Sequence, residues 1–198
     1  MKKTLMVLAA CGCLGMLFCG CAGVELVDEQ NDTGALVADL DYRDFNYAAE
    51  TMIDSMFELG ALVKPDGGRY VVAVGRIKND TTQYIDVDQL VKKIRSYLLR
   101  SGRAVVSTAV GVDGPEDQLA RDMRQLRDDD EFNQATVAQK GTLIAPDLSL
   151  SGKILERQIR MSSSKTQIEY YFQLTLTQVS TGLAIWEDEQ RIIKRAKY

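Results

Sequence analysis

The chain has 198 residues, 24 of them Lys or Arg and 28 Asp or Glu, with no histidine and four cysteines. That length supports one domain with its own core, and the lack of histidine removes Ser-His-Asp and Cys-His nucleophile pairs. Cys11, Cys13, Cys19 and Cys21 all precede residue 22, so no disulfide framework or Cys/His zinc site braces the rest of the chain.

The N-terminus reads as a lipoprotein signal peptide over residues 1–20. Lys2 and Lys3 form the positive start, and residues 4–18 form an apolar stretch. That stretch is shorter than the about 20 residues a membrane span needs, but it suits a secretory leader. In the bacterial lipobox a large apolar residue stands three before the modified cysteine and a small one directly before it. Leu8-Ala9-Ala10-Cys11 fits the letters but leaves too little apolar leader. Phe18-Cys19-Gly20-Cys21 has the right depth, so Cys21 is the expected lipid attachment point. Loss of Lys2 and Lys3 with the leader takes the 24 basic residues to 22 against 28 acidic ones, a mildly acidic body ill-suited to nonspecific nucleic-acid binding. Ala22 stands where an aspartate would signal inner-membrane retention in lipoproteins of this kind, which points to the outer membrane with the domain in the periplasm.

Residues 21–40 read as the lipidated cysteine and a flexible tether without proline, and residues 41–198 as a single globular α/β domain. A helix is expected over 44–59, where Phe45, Ala48, Ala49, Met52, Ile53 and Met56 recur at helical spacing, capped by Asp41 or Asp44. Residues 69–77 read as a strand buried on both faces. The second helix is expected over 87–101, with Asp86 as cap and Gln89 as its capping-box partner. A strand over 104–108 follows, parallel to the first. Residues 115–140 read as two charged helices broken near 128–131. The last third reads as an antiparallel meander, strands 148–160, 166–179 and 183–194. In its middle strand Ile168, Tyr170, Phe172, Leu174 and Leu176 face the core and Glu169, Tyr171, Gln173, Thr175 and Thr177 face away. The expected fold is α+β, element order α-β-α-β-α-β-β-β, with a mixed sheet of about five strands and helices packed on it.

Four stretches carry a family resemblance: Arg43-Asp44-Phe45; Ile77-Lys78-Asn79-Asp80-Thr81 with Tyr84-Ile85-Asp86; Ala145-Pro146-Asp147-Leu148-Ser149-Leu150-Ser151-Gly152; and Tyr171-Phe172-Gln173-Leu174-Thr175-Leu176 with Thr181-Gly182 and Trp186. On these residues the chain resembles the LpoB family from about residue 41 to residue 194. Such proteins are outer-membrane lipoproteins that activate a bifunctional penicillin-binding protein. The resemblance implies a class A penicillin-binding protein as partner, the membrane as lipid-held support, and a role in cell-wall synthesis and cell shape. It assigns no contact residue. The pattern is shared in part with TolB and curli-secretion lipoproteins, which leaves a structural or secretion-associated periplasmic role as the alternative.

Candidate contact residues come from the sequence itself. Lys92, Lys93, Arg95 and Arg100 lie off the apolar stripe of the second helix and, with Arg103 just after it, form a candidate basic docking patch, with Arg191, Lys194, Arg195 and Lys197 a second basic group. Tyr171 points away from the core and is a candidate aromatic contact. The acidic groups are weaker as sites. Asp128-Asp129-Asp130-Glu131 lacks the alternating acids and glycine turn of a calcium loop. Asp86 reads as a helix cap beside Asp88, and only Glu187 and Glu189 of Glu187-Asp188-Glu189 share a strand face. No metal, cofactor or small-molecule substrate is expected, and no enzymatic activity. A carboxylate-based hydrolase would need two facing acids in a concave pocket.

Overall fold

The computed structural model describes residues 27–28, 31–32, 34, 36–111 and 116–197. Cys21 and the leader lie outside the described residues. Ala35–Tyr198 forms one compact unit, and Met1–Gly34 another, in which the Asn31 side chain donates to Asp28 at 2.7 Å.

The elements are α1 (Tyr42–Glu58), β1 (Tyr70–Asp80), α2 (Val87–Arg100), β2 (Ala104–Val106), α3 (Gln118–Met123), β3 (Leu148–Ser162), β4 (Lys165–Gln178) and β5 (Leu183–Lys197), in the expected α+β order. The strands form one sheet in the order β2-β1-β3-β4-β5, with β1 parallel to β2 and β3 and the last three strands antiparallel.

Helix α1 starts where its first residues satisfy each other. The Asp41 side chain accepts from the Arg43 N–H, and Asp44 accepts from the Asp41 N–H at 2.8 Å, a complete capping box. Its apolar stripe, Phe45, Ala48, Ala49, Met52, Ile53 and Met56, packs on the sheet beside Leu90, Ile94 and Leu98 of α2. Phe45 meets Phe172 of β4 edge-to-face at 5.9 Å. Trp186 of β5 donates its indole N–H to Ser55 at 3.3 Å.

Strand pleating sorts the meander. Leu148, Leu150 and Ile154 of β3, Ile168, Tyr170, Phe172, Leu174 and Leu176 of β4 and Trp186 of β5 lie under the helices and are buried, as expected for β4. The other face of the sheet carries no helix among the described residues. For that reason β1 is not buried on both faces: only Val72 and Ile77 are buried, both toward the helices. A bulge between Val74 and Ile77 shifts its register on β3.

Gly152 faces the helix side at the β3–β4 seam. A Cβ built there would lie 2.1 Å from the Gln173 carbonyl oxygen and 2.6 Å from Leu174 Cδ2. This residue is glycine because nothing larger fits; its φ is not in the left-handed region. Asp147, just before β3, ties this strand to β1. Its carboxylate accepts from the Val71 N–H at 2.9 Å and from Lys64 Nζ at 3.2 Å, while its own N–H donates to the Val71 carbonyl at 2.8 Å.

Two expectations fail between β2 and β3. The helix expected over 115–127 shrinks to α3 followed by a 3-10 turn at Arg124–Asp128, and no helix forms over 131–140. Local side chains take the backbone there. Asn133 accepts the Ala135 N–H at 3.1 Å, and Gln134 donates to the carbonyls of Leu126, Asp129 and Phe132. Asparagine and glutamine thus compete with the helical ladder where no apolar stripe rewards it.

The folded unit also begins before Asp41, inside the stretch read as tether. Ala38 and Leu40 pack against the core. The Ala38 carbonyl accepts from the Tyr170 hydroxyl at 3.3 Å, Leu40 N–H donates to Gln83 Oε1 at 3.1 Å, and the Asp39 carbonyl accepts from Lys194 Nζ at 2.7 Å.

Candidate partner-docking face

The helix-free face of the sheet is built from alternate residues of three strands. Register sets Leu155, Tyr171 and Arg191 in one row across β3, β4 and β5. The next row toward the β3–β4 turn holds Arg157, Glu169 and Ile193. Glu169 is the hub: it accepts from the Tyr171 hydroxyl and, at 2.7 Å, from Gln167 Nε2. These hydrogen bonds, Tyr171 first, hold the Glu169 carboxyl below its ordinary pKa despite partial desolvation, with Arg157 and Arg191 adding to the effect. The same bond pushes the Tyr171 phenol up. Arg195 Nε donates to Gln167 Oε1 at 3.1 Å, Gln173 Nε2 to Glu189 at 2.6 Å and Thr175 Oγ1 to Glu187 at 3.1 Å. The face is therefore a preformed lattice of donors and acceptors with Leu155, Ile159 and Ile193 set among them, chemistry suited to recognition.

One residue of the basic patch expected on α2 is withdrawn from the surface. Lys92 and Arg100 are exposed, Lys93 is half-buried, and Arg103 lies over the Phe57 ring at 5.2 Å, against α1. Arg95 is the clear correction. It is only 8% exposed and forms an ion pair with Glu116. It stands four residues after Val91 and three before Leu98, and so shares their face of the helix. Burial pulls its pKa down. Arg95 and Lys92 line a cavity of about 690 Å³ between α2 and β1, together with Arg76, Lys78, Asp88 and Glu116.

The second basic group divides as well. Arg191, Arg195 and Lys197 are exposed on the open face. Lys194 points to the other side, where it pairs with Asp44 at 2.5 Å, both side chains only 11% exposed. Among the acids, Asp86 caps α2 by accepting the Asp88 N–H at 3.0 Å. Asp129 accepts the Glu131 N–H at 3.0 Å within its own turn. Glu187 and Glu189 share the open face. Among the described residues no group of three or more acids or thiols is placed to hold a metal ion. The sequence reading of the open face reached Tyr171 and, as a basic group, Arg191, Arg195 and Lys197. Leu155, Arg157, Ile159 and Ile193 were legible through the same two-residue alternation on β3 and β5.

A family model described as peptidoglycan-synthase activator LpoB matches residues 44–192. The chain belongs to the LpoB family. That family is non-catalytic, and its members are peptidoglycan-synthase activators. Among solved structures, the LpoB C-terminal domain from Escherichia coli aligns at 14% identity with a TM-score of 0.44, covering 75% of this chain and 98% of that one. The Salmonella enterica LpoB C-terminal domain gives 14% identity and a TM-score of 0.43, with coverage of 75% and 98%. Lipoprotein GNA1162 from Neisseria meningitidis gives 11% identity and a TM-score of 0.33, covering 64% of this chain and 83% of that one. No curated protein matches the sequence.

Proposed function

We propose that this LpoB-family chain is an outer-membrane lipoprotein, anchored through Cys21, whose periplasmic domain docks on a class A penicillin-binding protein and activates it without chemistry of its own. The family match over residues 44–192 carries this reading. The docking surface we assign is the open face of the sheet, with Tyr171 at its centre and Leu155, Arg157, Arg191 and Ile193 around it. This face has an aromatic residue held in one orientation by Glu169, and flanking arginines, the residue types that dominate binding energy. Lys92, Lys93, Arg100 and Arg103 lie on α2 and just after it, on the opposite side of the sheet. Arg95, spent on Glu116, serves the fold.

The test is a glycosyltransferase assay of the host's class A synthases with and without the purified chain. Stimulation of one of them is expected. Tyr171→Ala and Arg191→Glu should each weaken that stimulation at least tenfold while the circular dichroism spectrum stays that of the folded parent, and Lys92→Glu should leave it intact. No stimulation of any class A synthase refutes the activator reading. Loss with Lys92→Glu and not with Tyr171→Ala moves the docking site to α2.

A further inference from the structure

Strand β5 closes the sheet on one side, and among the described residues no strand lies beyond it. It runs from Leu183 to Lys197, long for an edge. Proteins usually blunt such edges by keeping them short or with bulges, proline or scattered charges, lysine above all. Here the charges are segregated instead. Glu187, Asp188 and Glu189 occupy the first half, and Arg191, Lys194, Arg195 and Lys197 the second.

We infer that β5 is a self-complementary edge on which a second copy of this chain docks, antiparallel, to continue the sheet across a twofold axis. A twofold perpendicular to the sheet keeps each face on its own side, so opposed residues must share a face. With the axis at Ile192, Glu187 meets Lys197 of the second copy and Glu189 meets its Arg195, each contact occurring twice. Arg191 packs on Ile193, Gln190 faces Lys194, and the two Ile192 side chains meet. No like charges stand opposite each other. Moving the axis one residue toward the N-terminus opposes Arg191 to itself. Moving it one residue the other way opposes Arg191 to Arg195. Only the register at Ile192 pairs both glutamates with cations and no arginine with another. The exposed glutamates and arginine are already oriented by Gln173, Thr175 and Gln167 of β4, which lowers the ordering cost of the new pairs. Arg191 and Ile193 belong both to this edge and to the rim of the proposed docking face, but the test below reads self-association alone, so the inference does not rest on the activator reading.

The test uses the full chain in intact cells and after purification. Ile192→Cys places one thiol on the axis, within disulfide range of its copy, and oxidation should give a covalent dimer. Gln190→Cys, displaced from its own copy by four residues, should not rise above the background of the parent chain. In sedimentation, Glu189→Lys and Arg195→Glu should each weaken self-association at least tenfold. Mixing those two variants should restore it, because each then meets its opposite, and the double variant should self-associate like the parent. A monomeric parent with no cross-link at position 192, equal cross-linking at 190 and 192, a cross-link from 192 to a different protein, or failure of the mixed variants to associate would each overturn the inference.

Discussion

Replacing Gly152 with alanine tests how tightly β3 and β4 are seated. The new Cβ would stand 2.1 Å from the Gln173 carbonyl oxygen, and real Cβ contacts essentially never fall below 3.0 Å, so about 0.9 Å must be found. The nearest atom is backbone, held in the ladder where Gly152 opposes Leu174, and no flexible chain end can yield. Overpacking of this kind costs about 1–3 kcal/mol, and a rigid neighbour puts Gly152→Ala at the upper end. Reduced freedom of the unfolded chain returns about 0.4–1 kcal/mol. The net loss is then about 2 kcal/mol, which for a domain of this size lowers Tm by about 4–8 °C. Thermal and urea unfolding followed by circular dichroism read it directly. Gly75→Ala is the control: its Cβ would lie 3.2 Å from the Leu150 carbonyl oxygen, tight but only a few tenths of an ångström short, and should cost less than about 1 kcal/mol. A Gly152→Ala protein that melts with or above the parent refutes the steric argument.

Lys194→Met strands the Asp44 carboxylate and frees the Asp39 carbonyl; removing one partner of so covered a pair should cost about 3 kcal/mol, read as a lower urea midpoint at unchanged slope. Asp147→Asn probes acid stability. The Val71 N–H, with Lys64 beside it, lowers the folded pKa of Asp147 below its ordinary 3.8 against the opposing effect of burial. The carboxylate therefore adds stability above that value and loses it as pH falls toward the folded pKa. The variant should be less stable at pH 7 and should show a flatter decline below pH 4 in a pH series of urea melts. Tyr170→Phe removes the hydroxyl that accepts from Gln83 and donates to Ala38. Limited proteolysis should then cut faster around residues 36–40 while the remainder stays folded. In the parent, burial raises the Tyr170 phenol to about 12, so its ionisation should be absent from an ultraviolet titration up to pH 11.

Periodicity made most of the architecture legible. The stripe from Phe45 to Met56 and the alternation from Ile168 to Leu176 each specify an element and the face it buries, and both stand in the structure. What the pattern could not carry was tertiary. Arg95 reads as surface by its letter, yet its position between Val91 and Leu98 brings it inward, where Glu116 neutralises it. Gly152 carries no steric message in the sequence and acquires one only when β4 is laid against it. The charged run after Gln118 satisfies a helical reading by composition, but its asparagine and glutamine side chains satisfy the backbone locally instead. Tyr171 was found because alternation aims it outward. Its neighbours on the open face come from β3 and β5, and only strand pairing puts them in one row.

The seating of residues 38–40 decides where mechanical load enters the domain. A pull arriving from upstream of residue 36 reaches Ala38, Asp39 and Leu40 before it reaches α1, and their bonds to Tyr170, Lys194 and Gln83 are spread over β4, β5 and the loop after β1. Lys194 also grips Asp44, so strain that frees Asp39 passes next to the cap of α1. The strap thus divides any such load among three elements before it reaches the helix.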